Sequence, residues 1–97
     1  MPAYVIANIT TLETSDELAE YRRRVGATVE RYGGRFVVRG GKVDVIEGGW
    51  LPVHLTLIEF PDGAGARAWL GSPEYQDLAG LRTGSVQTEL VLLENSD

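Results

Sequence analysis

Apolar and polar positions along the chain divide it into segments of two periods. Residues Ala3–Thr11 alternate, with Tyr4, Ile6, Asn8 and Thr10 on one face and Val5, Ala7 and Ile9 on the other. Both faces are largely apolar, which predicts a strand covered on both sides, with Asn8 as the polar exception. Residues 14–32 change to helical spacing through Leu18, Tyr21, Arg22, Val25, Val29 and Tyr32. Thr14 followed by Glu17 fits a capping box, and Gly33-Gly34 supplies the stop. Gly26, which costs about 1 kcal/mol relative to Ala inside a helix, marks a close approach or a kink.

Residues 36–48 read as two strands folded back at Gly40-Gly41. A loop with Trp50, Leu51 and Pro52 follows, then a strand over 53–60 with His54, Thr56, Ile58 and Phe60 on one face. Pro61-Asp62 opens a short helix, Gly63–Leu70, with Ala64, Ala68 and Trp69 available for packing. Ser72 as N-cap and Pro73 at the first helical position restart a helix that carries Leu78 and Leu81 inward. Val86–Glu94 is the last strand.

The order strand, helix, strand, strand, helix, strand is the ferredoxin-like β-α-β-β-α-β plan. It predicts an α+β sandwich with an antiparallel sheet, an extra hairpin strand, and a single domain over residues 1–97. Two helices cover one face of such a sheet. The other face is apolar too, whichever of Tyr4 and Ile6 or Val5 and Ile9 looks outward, and whichever of Leu55 and Leu57 or Ile58 and Phe60. A monomer would expose that surface, so a homodimer with facing sheets is expected.

Composition narrows the functional classes. A formal net charge of -5 argues against a nucleic-acid partner. Arg22, Arg23, Arg24 and Arg31 lie beside Glu20 and Glu30 and suit a solvated helix face. Cysteine is absent and histidine occurs once, which excludes thiolate chemistry, disulfides and multi-histidine zinc sites. No signal-like leader or membrane-length apolar run is visible, so no membrane partner is expected and the expected location is the cytoplasm. Gly40-Gly41 and Gly48-Gly49 do not open a helix in a βαβ unit and are not phosphate loops. Ser72 and Ser85 have no neighbouring His, and the acidic residues lack metal-loop spacing.

The chemistry-bearing candidates are few. Glu59 shares a strand face with Leu55 and Leu57; apolar surroundings would raise its pKa and suit it to proton transfer. Alternatively, strand twist carries it to the rim or an arginine pairs with it. Arg39 could hold a substrate carboxylate, pair with Glu59 or Glu47, or be exposed; Arg82 is a weaker candidate of the same kind. Asn8 must satisfy backbone groups or face a polar feature of a cavity. His54 has the intrinsic pKa for proton transfer, or is a rim residue. Trp50, Trp69 and Tyr75 could line a pocket for a flat ligand or belong to the core or an interface.

Several stretches taken in order resemble one family. They are Tyr4-Val5-Ile6-Ala7-Asn8-Ile9, Glu20-Tyr21-Arg22, Tyr32-Gly33-Gly34-Arg35-Phe36 and Val38-Arg39-Gly40-Gly41. Ile46-Glu47-Gly48 with Trp50 and Pro52, Ile58-Glu59-Phe60-Pro61, and Ser72-Pro73-Glu74-Tyr75-Gln76 complete the series. Together they resemble the bacterial domain-of-unknown-function family 1330, in the dimeric α/β-barrel superfamily. The resemblance implies a ferredoxin-like protomer and a barrel-like dimer, and no settled activity. The chain departs from the family at Gly26, where members often carry Pro, at His54, where they often carry Arg, and at Asp62, where Ser is usual.

Three functional readings follow. One is a homodimer that binds a small organic molecule, as a cofactor-free enzyme of isomerase-like or monooxygenase-like type. The catalytic candidates are then Glu59 and His54, and the ligand-binding candidates are Asn8, Arg39, Glu59, Trp69 and Tyr75. The second is a non-catalytic ligand sensor using the same cavity. The third is a structural dimer whose interior is filled by side chains.

Overall fold

The computed structural model describes residues 1–11, 16–52, 54–80 and 86–95. Four strands are formed among these residues: β1 (Ala3–Thr11), β2 (Arg35–Lys42), β3 (His54–Phe60) and β4 (Val86–Glu94). Three helices join them: α1 (Asp16–Arg31), α2 (Gly63–Leu70) and α3 (Pro73–Ala79). The sheet order is β2-β3-β1-β4, with all three pairings antiparallel. This is the ferredoxin-like α+β arrangement expected from the order of elements.

The register assigns the faces. Val5 lies opposite Ile58 on one side and Leu92 on the other. These residues and Ala3, Ala7 and Phe60 meet the helices, where Tyr21, Val25, Val29, Ala66, Trp69, Tyr75 and Leu78 complete the core. In α2 it is Ala66 and Trp69 that turn inward, whereas Ala64 and Ala68 are exposed. Leu78 is buried as expected; Leu81, Arg82 and the Thr14 cap lie outside the described residues. The shortest extent of the fold, 17 Å, leaves room for one helix layer on one sheet.

The opposite face of the sheet is therefore bare. Tyr4, Ile6, Leu55 and Leu57 point to it from the central strands. Val91 and Leu93 on β4 are 59% and 56% exposed, and Val38 on β2 is exposed as well.

The ends of the helices follow local chemistry. At the end of α1, Gly33 donates to the Glu30 carbonyl and Gly34 to the Val29 carbonyl, both at 3.0 Å. Gly33 has φ of +84°, so the glycine pair forms a Schellman cap. The Asp62 carboxylate accepts from the Gly65 N–H at 2.8 Å and caps α2. Ser72 Oγ accepts from the Tyr75 N–H at 3.1 Å and donates to the Trp69 carbonyl at 2.7 Å. One hydroxyl thus ties the end of α2 to the start of α3.

The turn expected at Gly40-Gly41 is not formed. Both glycines lie inside β2, where the register against β3 slips twice, between Phe36 and Val38 and between Val38 and Gly41. They are part of a bulged edge strand, and the φ of +66° at Gly40 supplies the irregularity. The Gly40 N–H is satisfied by Thr56 Oγ1 at 2.9 Å. The extra hairpin strand is absent as well: residues 43–46 have no strand partner. Residues 43–52 form an irregular arm that exposes Ile46, at 93%, and Trp50, at 60%. Helix α1 runs unbroken through Gly26. A Cβ built there would meet Arg39 Nη1 at 3.6 Å and the Phe36 ring at 3.8 Å, ordinary van der Waals distances, so Gly26 marks neither a kink nor an approach too close for a side chain.

Candidate functional site

The central strands of the sheet part at one end. β1 pairs with β3 from Ala3 opposite Phe60 as far as Ala7 opposite Thr56. Beyond that point β1 continues against β4 alone, to Thr11 opposite Val86. β3 continues against β2 alone, to His54 opposite Lys42. The fork lies beside α1 and the arm, and a cleft of ≈ 950 Å³ occupies this place.

Apolar and aromatic residues supply most of its lining. Tyr21 and Val25 come from α1, Phe36 from β2, Trp50 and Leu51 from the arm, Ile58 from β3, and Trp69 and Tyr75 from the helix layer. Trp69 and Tyr75 pack with ring centroids 4.2 Å apart, and Phe60 lies behind Trp69 at 5.6 Å. Trp69 Nε1 donates to Thr28 Oγ1 at 3.0 Å, and Thr28 Oγ1 in turn donates to the Val25 carbonyl at 2.7 Å. The polar end of the indole is thereby satisfied. Mixed apolar walls with a few placed polar groups are the usual form of a small-molecule site.

The polar lining groups are Asn8, Arg22, Arg39, His54, Thr56 and Glu89. Asn8 and Glu89 stand directly opposite each other on β1 and β4, in register with Ile6 and Val91 and so on the bare-face side of the sheet, at the rim of the cleft; Asn8 Nδ2 donates to Glu89 Oε1 at 2.9 Å. The Arg39 guanidinium lies 4.4 Å over the Phe36 ring and donates to the Arg22 carbonyl. Thr56 is held by the Gly40 N–H. His54 is exposed at the start of β3.

Six of the sequence candidates, Asn8, Arg39, Trp50, His54, Trp69 and Tyr75, line this one cleft. Glu59 does not. It projects from the bare face of the sheet and pairs with Arg35, with Nε to Oε1 at 2.9 Å and Nη2 to Oε1 at 2.8 Å. Its hydrogen bond to the Tyr4 hydroxyl raises the pKa of that phenol, with burial adding to the effect. Glu59 lines a separate, smaller hollow with Pro2, Gly33, Phe60 and Pro61. The arginine partner is the alternative that the sequence left open for Glu59, although it is Arg35 and not Arg39.

Glu89 is the cleft residue that sequence reasoning did not single out. Its signal was weak: it ends the polar triplet Gln87-Thr88-Glu89 that precedes the apolar run of β4. Only the antiparallel pairing of β1 with β4 sets it against Asn8. Among the described residues no group of three or more His, Cys, Asp or Glu could hold a metal ion. Among them, too, no helix is long and apolar enough to cross a membrane.

Comparison with solved structures supports the architecture. A protein of unknown function from Rhodopseudomonas palustris, RPA0582, aligns over 99% of this chain and 83% of its own, with 22% identity and a TM-score of 0.74. A dimeric ferredoxin-like protein of unknown function from Jannaschia sp. CCS1 aligns over 98% and 100%, with 20% identity and a TM-score of 0.71. SnoaB, a cofactor-independent oxygenase from Streptomyces nogalater, aligns over 99% and 94%, with 17% identity and a TM-score of 0.68. At these identities the likeness is one of fold. None of the curated protein sequences matches the chain. The family model for the domain of unknown function DUF1330 matches residues 2–96, nearly the whole chain, and this protein belongs to that family.

Proposed function

We propose that this protein acts as a homodimer, joined through the bare face of its sheet, in which each protomer binds a small, largely apolar organic molecule in the cleft. The observation that carries the reading is the ≈ 950 Å³ cleft with an aromatic lining. A side-chain-filled interior would leave no such space, which argues against a purely structural dimer. The dimer is supported by Val91 and Leu93, large apolar side chains exposed on a face that also carries Ile6 and Leu57. The Jannaschia neighbour is itself described as dimeric.

Between an enzyme and a sensor, one observation favours the enzyme. His54 and the Glu89 carboxylate, groups able to carry a proton, line the same cleft. Side-chain proton chemistry on an organic substrate is the isomerase-like or monooxygenase-like class, and the SnoaB neighbour is described as a cofactor-independent oxygenase. Glu59, paired with Arg35 away from the cleft, is a structural residue in this reading.

Native mass spectrometry of the purified protein tests the proposal. The expected result is a dimer that carries a small-molecule mass, or that takes up an added apolar aromatic compound. A monomer refutes the interface. A dimer that takes up no such compound refutes the cleft as a ligand site.

A further inference from the structure

We infer that the ligand of the cleft is an organic anion, a carboxylate with an aromatic or otherwise apolar body, and that Arg39 receives its carboxylate. The inference rests on the cleft being a ligand site and names the chemical class that the site takes.

Among the described residues Arg39 is held in place by contacts that do not neutralise it. Its guanidinium is stacked on Phe36 and anchored to the Arg22 carbonyl. Both contacts hold the group in place, and neither brings a negative charge. Arg23, Arg24, Arg35 and Arg67 each have a carboxylate partner: Glu20 for the first two, Glu59 for the third and Glu94 for the fourth. Among the described residues Arg39 has none. A guanidinium carries five N–H donors in a planar fork that matches a carboxylate, and the bond to Arg22 uses one nitrogen. A stacked, oriented guanidinium needs little further ordering to accept a ligand.

A single fixed fork suits a planar monoanion. Phe36 and Trp50 line the cleft with Arg39 and can meet the apolar body.

Isothermal titration at low salt with cinnamate and its uncharged isostere cinnamamide tests the inference. The wild-type protein should bind cinnamate at least about tenfold more tightly than cinnamamide, a difference of about 1.4 kcal/mol. Arg39→Gln should abolish that preference, and Arg39→Lys should keep part of it. Equal affinities in the wild type, or a full preference in Arg39→Gln, would overturn the anion site while leaving the cleft as a binding site. If neither compound binds the wild type, the cleft reading falls and this inference falls with it.

Discussion

Ser72 connects the stability of the fold to the wall of the cleft, and Ser72→Ala probes the connection. The residue is 3% exposed. Its Oγ accepts from the Tyr75 N–H and donates to the Trp69 carbonyl. The two bonds are unequal in consequence. The Trp69 carbonyl also accepts from the Ser72 N–H at 3.1 Å, so it keeps a partner when the hydroxyl is removed. The Tyr75 N–H loses its acceptor at a buried position. Loss of an N-cap side chain costs about 1 kcal/mol, within a range of roughly 0.5–2. A buried donor left unsatisfied costs about 1–3 kcal/mol. These are two descriptions of one lost hydrogen bond and do not add, so the expected loss is about 1–2 kcal/mol. For a domain of this size that lowers the melting temperature by roughly 5–15 °C. The measurement is thermal and urea unfolding at matched protein concentration, because a dimer's apparent stability depends on concentration. Ser72→Thr, which keeps the hydroxyl, should recover most of the loss. Near-ultraviolet circular dichroism should also weaken in Ser72→Ala, since the hydroxyl positions the closely packed Trp69 and Tyr75 rings. A loss under about 0.5 kcal/mol would refute the argument that this hydroxyl holds α3 to α2.

Replacing both Val91 and Leu93 by Asp should convert the proposed dimer to a folded monomer in light scattering; an unchanged dimer mass would move the interface elsewhere. Gly34→Ala places a Cβ 2.6 Å from the Phe60 ring, so a loss of about 1–3 kcal/mol in urea unfolding is expected; no loss would mean that the ring yields freely. The Tyr32–Glu74 hydrogen bond, at 2.8 Å, lowers the Glu74 pKa below its ordinary 4.5 and raises that of Tyr32 above its ordinary 10.0. The stability linked to Glu74 is therefore present above pH 4.5 and lost as pH falls through its folded value; that linked to Tyr32 is present below pH 10.0 and lost as pH rises through its folded value. Tyr32→Phe should flatten the stability profile at the acid end. It should flatten the alkaline end less, because the Tyr4 pKa is raised too; an unchanged acid limb would show that the bond is not populated in solution.

The parts of the fold that were legible in the sequence are those set by local chemistry. Glycine cannot be replaced without strain at the positive φ of Gly33, and Ser72-Pro73 is a helix start wherever it stands. The alternation in β1 and β3 was read in the right period. It did not say which face met the helices, because both faces are apolar and only packing breaks the tie. Gly40-Gly41 shows the limit of local reading. A glycine pair serves a tight turn and a bulge equally well, and what decides between them is the partner. Here β3 pairs with β2 on both sides of the irregularity, and Thr56, distant in sequence, takes the Gly40 N–H. Residues 43–46 had a strand-like pattern, but the chain leaves the sheet where β2 ends at Lys42 and does not fold back on the open edge of β2.

The same reasoning explains what could and could not be seen of the cleft. Single residues announced themselves by being out of place: Asn8 in an apolar strand, Arg39 beside a glycine pair, His54 as the only imidazole. Their convergence depends on the point where β1 leaves β3, after Ala7 and Thr56, and no local pattern encodes that point. Glu59 was the more conspicuous carboxylate because its strand neighbours are leucines. It belongs, however, to the closed end of the sheet, where Arg35 can reach it. Glu89 belongs to the open end, where β4 follows β1 past the fork and Asn8 holds the carboxylate in the lining. Two acidic residues on strands of one sheet thus acquire different roles from their distance to the fork, a property of strand register and not of residue type.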